Sequence, residues 1–187
     1  MTGDEAREIH ASGGSLEGAD LRGAILGGDF RGADLHRADL TRANLTGTDL
    51  TRADLMYANL TSAILTDANL TRANLMDADL TGANLTDANL TNVDMGFLDL
   101  LGANFSNANL TNALFFMASL TGAILTDANL TGAILAFADI SSSNLRNANL
   151  TSANLTSANL MSADLTGAIM RETILTDATM PDGSIHN

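Results

Sequence analysis

Apolar residues recur at every fifth position along most of the chain. From Phe30 to Ile185, all 32 positions of this series are apolar, and 24 of them are Leu. The residue two places before each of them is small, usually Ala, and the residue one place before is usually Asp or Asn. Thr most often follows, and a variable residue closes the unit. The repeating unit is therefore A-(D/N)-L-T-x, as in residues 68–72.

A period of five fits neither a straight α-helix nor a flat strand. On a helix, five residues advance about 500°, so the Leu side chains would spiral around every face. On a flat strand, an odd period points successive Leu side chains to opposite faces. Each unit is therefore predicted to be a short extended segment, with Ala and Leu inward and Asp or Asn outward, followed by a corner. Coils stacked at the ~4.8 Å spacing of sheets then form a solenoid.

Tandem A(D/N)LXX units cover about 170 of the 187 residues, and they resemble the pentapeptide repeat family. The resemblance implies an all-β solenoid, a right-handed quadrilateral β-helix in which four pentapeptides form each coil. The repeats then make about eight coils. We expect a single β-helical domain over 14–187 and an N-terminal cap over 1–13. The segment after Met180 reads as a turn and a short final segment, without a long hydrophobic helix. It resembles the chain ends of bacterial, notably cyanobacterial, members.

The N-terminal residues carry the signals of a short helix. Thr2 and Glu5 have capping-box spacing, and residues 4–12 form an amphipathic segment that stops at Gly13. The ends of a solenoid need to be covered against water and against edge pairing. We therefore expect this helix to cover the first coil.

Two places break the five-residue rhythm. Leu26 and Phe30 are only four residues apart, and the missing residue falls at 27–28, where two glycines admit backbone conformations that other residues avoid. We expect a local distortion there. Farther along, within 93–101, Leu98 stands where the small inward residue belongs. We expect that face to bulge or shift.

Composition narrows the classes of function. The formal net charge is −13, from 9 basic residues, all Arg, against 22 Asp and Glu. Direct nucleic-acid binding is not expected, because phosphate contacts need clustered cations. Seven of the nine arginines precede residue 73, which gives a mild dipole along the rod, and Arg52 and Arg72 are predicted to stack on one face with Arg31 near them. The absence of Cys excludes a disulfide framework, a zinc-thiolate site and a cysteine nucleophile.

Catalysis, a metal and a cofactor are not predicted. The three histidines, His10, His36 and His186, lie too far apart in the repeat to form a Ser–His–Asp set or a metal site. A narrow packed tube is also expected to offer no concave pocket. The chain lacks a run of 18 apolar residues, and its acidic N-terminus leads into no apolar signal segment. We expect neither a membrane span nor a secretory signal, and a cytoplasmic location.

The 20-residue coil sorts the outward residues onto four faces, and one face is apolar. It carries every aromatic residue outside the core column, and over four coil steps it makes a stripe about 19 Å long. Scattered surface apolar residues are common, but a contiguous patch rich in Met and aromatics is typical of an interface. The predicted protein interface comprises Met56, Tyr57, Met76, Phe97, Leu114, Phe116, Met117, Ile134 and Phe137.

A second face carries an acidic and polar column at coil spacing. Its residues are Asp67, Asp87, Asn107, Asp127 and Asn147. A solvated face that keeps the protein soluble accounts for this column. Some pentapeptide repeat proteins mimic DNA, bind type II topoisomerases and protect them from quinolones. The resemblance therefore implies an alternative, a DNA mimic that binds an enzyme such as gyrase through this column.

A third face carries a column of threonines, and flat threonine columns also occur in ice-binding proteins. A simpler interpretation is that the repeat favours hydroxyls that bond within the corner. The column consists of Thr51, Thr71, Thr91, Thr111, Thr131 and Thr151. Taken together, the sequence predicts a non-catalytic protein-interaction scaffold that binds a partner, or itself, through the apolar face.

Overall fold

The computed structural model describes residues 1–186, which form one helix followed by stacked coils. Helix α1 spans Gly3–Ala11. Thr2 caps it, because the Glu5 N–H donates to Thr2 Oγ1 at 3.2 Å and the Thr2 N–H donates to Glu5 Oε2 at 2.7 Å. Arg7 then anchors α1 to the first coil by donating from Nη1 to the Gly27 carbonyl at 3.2 Å. The predicted capping box and N-terminal helix are confirmed.

The rest of the described chain is a right-handed quadrilateral β-helix, which confirms the predicted fold. Strands are reduced to single bridges, and from Asp29 onward each parallel bridge joins a residue to one twenty positions later. The series runs from Asp29↔Asp49 to Asn159↔Thr179. A step of twenty is four pentapeptides, so each unit forms one side of a square coil.

The core consists of the inward Leu and Ala columns, which are buried along almost the whole length. Phe105 and Phe115 lie in the Leu column and meet edge to face, with ring centroids 6.3 Å apart. The segment after Met180 forms the turn and short final segment that the sequence predicts, so the inward column ends before Ile185. Ile185 is exposed and pairs antiparallel with Thr179, because a turn at 181–183, with φ of +83° at Gly183, reverses the chain.

Each corner is a tight turn closed by the backbone. The N–H of the small residue donates to the carbonyl of the apolar residue three places earlier, as from Ala38 to Leu35 at 3.0 Å. The variable residue of the unit has a positive φ, for example +56° at Ser62 and +57° at Asp67. That pattern matches a type II turn, whose third residue needs φ above zero. The position that varies most in sequence is therefore the most constrained in conformation.

The Asp or Asn of each unit fixes the corner that follows it. Its Oδ1 accepts the N–H of the residue two places later and, in most units where that residue is Thr, the hydroxyl as well. Thr61, for example, donates to Asn59 Oδ1 from N at 3.0 Å and from Oγ1 at 2.6 Å. The six threonines of the third face make the same hydroxyl contact. Their hydroxyls bond within the corner, as the repeat interpretation predicted.

The short unit at Leu26–Phe30 changes the register of the stack. Before it, bridges step by nineteen residues, as in Ile25↔Asn44, and after it they step by twenty. Gly28 takes φ of +101°, and its carbonyl accepts the N–H of Asp49 in place of the missing small residue. The predicted local distortion is confirmed.

The second irregular place opens the hydrogen-bond ladder between two coils, as the expected bulge at Leu98 suggested. The ladder is intact just before it, from Leu70 N to Asn89 O at 2.8 Å, and just after it, from Gly82 N to Leu101 O at 3.0 Å. Among the described residues, several intervening main-chain amides have no main-chain acceptor. These are the amides of Arg72, Asp77, Leu80 and Asp99, and the bridge between Asp79 and Asp99 is missing from the parallel series, whereas Asn74 and Asp94 are still paired.

The cause of this opening is side-chain size in the core. Val93 and Leu98 occupy inward positions that hold Ala73 and Ala78 one coil earlier, and all four are buried. The larger side chains hold the two coils apart, since a close-packed interior cannot absorb added volume without backbone shifts. We call this opening the wedge.

Candidate protein-interaction site

Three phenylalanines form a ladder of edge-to-face rings on the predicted apolar face. The ring centroids of Phe97 and Phe116 are 5.6 Å apart, and those of Phe116 and Phe137 are 5.7 Å apart, both with an interplanar angle of 75°. Each ring comes from a successive coil at the same corner. Phe97 and Phe137 hold the positive-φ position, with φ of +63° and +61°, and Phe116 holds the position before it.

These rings face outward although aromatic residues normally contribute most when they are buried. Phe97 is 71% exposed, Phe137 is 52% exposed and Phe116 is 38% exposed. A bulky residue at positive φ is also uncommon and strained. The ladder therefore combines exposed apolar area with backbone strain at Phe97 and Phe137.

A groove of about 590 Å³ lies beside the ladder. Phe97 and Phe116 form one part of its lining, and Met76, Leu114 and Ile134 form the rest of the apolar part. The expectation that the tube offers no concave pocket is wrong. The interior is filled, but the coil surface is not smooth, because one residue in the middle of the apolar face is a glycine and has no side chain.

That residue is Gly96, which stands between Met76 and Phe116 in one column. A Cβ at Gly96 would lie 3.2 Å from Asp94 Oδ1 and 3.4 Å from the Phe116 carbonyl oxygen. Both distances are tighter than ordinary packing, and Gly96, which has no side chain, lines the floor of the groove without filling it. The wedge adds to this space, since Asn74 and Asp77 line the groove from one side of it and Asp94 from the other.

The structure divides the predicted interface into two parts. The groove brings together Met76, Phe97, Leu114, Phe116 and Ile134, and the ring ladder adds Phe137. Tyr57, Met56 and Met117 do not line the groove.

Tyr57 instead packs within its own corner. Its ring meets His36 edge to face at 5.6 Å, and the Arg37 guanidinium lies 5.6 Å from its centroid. Met56 is half-buried, whereas Met117 is exposed. The centre of the site is therefore the groove around Phe116.

Sequence reasoning found the apolar residues of the site but missed its concavity. The sequence does carry signals of the concavity. Gly96 stands where the repeat usually has Thr, and Leu98, two residues later, stands where it usually has Ala. The acidic rim, Asp77 and Asp94, was also missed because each residue fits the polar pattern of its own unit.

The predicted acidic column lies at a different corner. Asp67, Asp87 and Asp127 are all exposed and all have positive φ, between +57° and +59°. Asn147 donates from Nδ2 to Asp127 Oδ1 at 3.1 Å, so the amides of the column partly satisfy its carboxylates.

No group of three or more His, Asp or Glu side chains within residues 1–186 is arranged to hold a metal ion. Over the same residues, no helix has the length and apolar character that crossing a membrane requires.

The square coils and the outward-facing site define a repeat scaffold of the β-solenoid class. The chain belongs to the pentapeptide repeat family. Eight copies of the pentapeptide repeats family model match it, over residues 15–55, 53–92, 88–115, 113–151 and 138–177. Proteins of this family are in general non-enzymatic scaffolds.

Solved structures similar to this chain include other pentapeptide repeat proteins. HetL, involved in heterocyst differentiation regulation in the cyanobacterium Nostoc sp. strain PCC 7120, is 35% identical over 100% of both chains, with a TM-score of 0.37. A protein from the Arabidopsis thaliana thylakoid lumen is 33% identical over 58% of this chain and 69% of its own, with a TM-score of 0.35.

A more distant match is trypsin-treated QnrB1, a plasmid-mediated fluoroquinolone resistance protein. It is 18% identical over 84% of both chains, with a TM-score of 0.38. All three TM-scores are below 0.5, so the superpositions carry no weight. The family assignment rests on the match of the family model to the repeats. A comparison with curated protein sequences gives no significant match.

Proposed function

We propose that this protein is a non-catalytic scaffold that binds a protein partner, or a second copy of itself, through the groove and the ring ladder. The observation that carries the proposal is the exposed ladder Phe97–Phe116–Phe137 beside a groove of about 590 Å³. Burying one such aromatic side chain is worth roughly 1.5–3 kcal/mol. Three rings around one concave surface form the kind of central anchor that dominates protein interfaces.

The rim of the groove indicates what the partner presents. Asp77 and Asp94 line it together with the neutral Asn74, and no basic side chain is among the lining residues in the described part of the chain. An apolar anchor flanked by Lys or Arg would satisfy both the groove and its rim, because complementary charge orients partners. A second copy would bring its own acidic rim, so charge favours a different protein over self-association.

The repeat itself provides a test that preserves the fold. Leu114 and Ile134 occupy positions that hold Asp or Asn in the consensus unit. Leu114→Asn with Ile134→Asn therefore restores consensus residues while it removes the apolar wall of the groove. The matched control is Ile64→Asn with Ile124→Asn, because these residues are exposed apolar side chains at the equivalent position of another face.

Affinity capture from the source lysate, with sedimentation velocity for self-association, would compare the two variants with the wild type. We expect a partner, or a dimer, that the groove variant loses and the control variant keeps. Phe116→Asp with Phe137→Asp should lose it as well. Equal binding by all variants would overturn the proposal.

A second candidate is a DNA mimic that binds gyrase through the acidic column. What supports it is the exposure of Asp67, Asp87 and Asp127 at one corner, at intervals of whole coils. Against it, Asn107 interrupts the charge series and Asn147 donates to its last carboxylate. Salt-dependent inhibition of gyrase supercoiling, lost in Asp67→Asn with Asp87→Asn, would support this candidate. Absence of inhibition at micromolar protein would exclude it.

A further inference from the structure

A second external cavity, of about 720 Å³, lies at a different corner of the solenoid, near the N-terminal cap. Arg52 and Arg72 line it from one column, twenty residues and therefore one coil apart, and Asn92 continues the column on the next coil. The end nearest the cap is lined by Arg31 of the coils and by His10 of α1. The helix and four successive coils thus contribute to a single concave surface.

The lining of this cavity is positively charged, whereas the protein as a whole is strongly acidic. The chain has a formal charge of −13, but three arginines face one carboxylate, Asp29, among the lining residues. Asp29 is already engaged by Arg31, with Nε to Oδ1 at 2.9 Å and Nη2 to Oδ2 at 2.5 Å. Neither Arg52 nor Arg72 has a carboxylate oxygen within 4.0 Å among residues 1–186.

The other polar groups of the lining do not supply that missing negative charge. The hydroxyls of Thr51 and Thr71 donate to Asp49 Oδ1 and Asn69 Oδ1. Asn92 Oδ1 accepts from the Asn112 amide at 3.4 Å, which leaves the Asn92 amide as a donor. Beside the His10 imidazole, the groups left to bind a ligand are two guanidiniums and an amide, and these three donate.

We propose that this cavity binds a small ligand carrying a diphosphate group. Guanidinium donates two parallel hydrogen bonds to phosphate oxygens, which makes arginine the side chain best suited to this anion. Arg52 and Arg72 stand one coil apart in one column, so their like charges repel each other unless an anion lies between them. Two adjacent phosphoryl groups offer each guanidinium its own pair of acceptor oxygens.

Inorganic pyrophosphate is the probe, and isothermal titration calorimetry in a low-salt buffer is the measurement. Arg52→Gln and Arg72→Gln should each weaken binding by about tenfold or more, the effect expected for losing a hydrogen bond between charged groups. Arg42→Gln is the matched control. Arg42 is exposed, has φ of +57° against +60° at Arg52, and lies at another corner outside the cavity.

The proposal is supported if pyrophosphate binds, if both cavity variants weaken it, and if Arg42→Gln stays within about twofold of the wild type. Three results would overturn it. They are no binding at millimolar pyrophosphate, an equal loss in Arg42→Gln, and citrate binding as tightly as pyrophosphate. Thermal unfolding of each variant confirms that a loss of binding is not a loss of fold. Every substitution lies outside the Phe116 groove, so the result is independent of the partner-binding proposal.

Discussion

The hydroxyl of Thr48 donates a hydrogen bond to the main-chain carbonyl of Leu26. In a regular unit that carbonyl would accept the N–H of the small residue three places later, but the unit at Leu26–Phe30 lacks that residue. Thr48 holds the inward position of the next coil, where the repeat usually has Ala, and it is fully buried. One departure from the repeat therefore compensates another in the adjacent coil.

Removal of the Thr48 hydroxyl should destabilise the protein more than the loss of one small group normally does. Thr48→Val keeps the shape but leaves the Leu26 carbonyl without its donor, at a cost of about 1–3 kcal/mol for an unsatisfied buried group. Thr48→Ser retains the hydroxyl and should recover most of that loss. Urea unfolding of the three proteins measures the difference. Equal stability of Thr48→Val and Thr48→Ser would show that the hydrogen bond contributes nothing.

The cap docks at a contact that only glycine permits. A Cβ on Gly3 would lie 1.8 Å from the Ile25 carbonyl oxygen. Gly3→Ala must therefore shift α1 away from the first coil, at a cost of about 1–3 kcal/mol for overpacking. We expect a lower melting temperature and faster hydrogen exchange in α1. Gly27→Ala is the control, because nothing lies within 4 Å of its Cβ position, and it should behave like the wild type.

The sequence predicts the coil and the apolar face because the five-residue unit recurs along most of the chain. The cap follows from the capping-box spacing near the N-terminus. Once Leu70 is inward, every residue five positions away is inward too, and the 20-residue step places Phe97, Phe116 and Phe137 at one corner. What it could not predict depends on neighbours in adjacent coils. The groove exists because Gly96 meets the wedge, and neither feature is visible within a single unit.

The positive φ of the variable position was predictable but was missed. Between residues 32 and 177 this position never holds Val, Ile or Thr, although Thr dominates the position just before it. The branched Cβ of these residues makes positive φ a severe outlier. The absence of Val, Ile and Thr is the sequence signal for a positive φ at this position. The variety of the other residue types suggests, misleadingly, that its backbone conformation is unconstrained.

Substitution at one such corner should order variants by their tolerance of positive φ. Ser62 has φ of +56° at a corner away from both proposed sites. Ser62→Gly should be as stable as the wild type or up to about 1 kcal/mol more stable, whereas Ser62→Val should lose about 1–3 kcal/mol. Chemical denaturation measures both. A Val variant as stable as the Gly variant would contradict a conformational requirement at this position.

Acid should weaken the N-terminal coils through Asp29. Hydrogen bonds from the Arg31 guanidinium, and then from the Arg31 main-chain N–H, hold the pKa of Asp29 well below its ordinary value. A carboxyl whose folded pKa is depressed stabilises the fold above its unfolded pKa of about 3.9 and loses that contribution as pH falls through the folded value.

We therefore expect the melting temperature of the wild type to fall below about pH 4. The fall should be shallower in Asp29→Asn, which has no carboxyl to protonate. Arg31→Gln, which removes the cause of the shift, should also flatten it. Parallel curves for all three proteins would assign the acid sensitivity to other carboxylates.

The wedge should close when its cause is removed. Leu98→Ala restores the small inward residue of the repeat, so the amides of Leu80 and Asp99 can resume the ladder bonds that they lack. We expect these amides to become protected in hydrogen exchange. The regained ladder should offset part of the lost burial, so the net cost should fall below the 2–5 kcal/mol typical of Leu→Ala in a core.

Leu145→Ala is the matched control, because it removes the same atoms from the regular Leu column and restores no repeat position. It should cost the full amount and protect no amide at the wedge. Closure should also narrow the groove, since Asp77 and Asp94 line it from opposite sides of the opening. Leu98→Ala should therefore weaken partner binding although Phe97 and Phe116 are unchanged. If the wedge amides stayed unprotected in Leu98→Ala, side-chain size would not be what holds the coils apart.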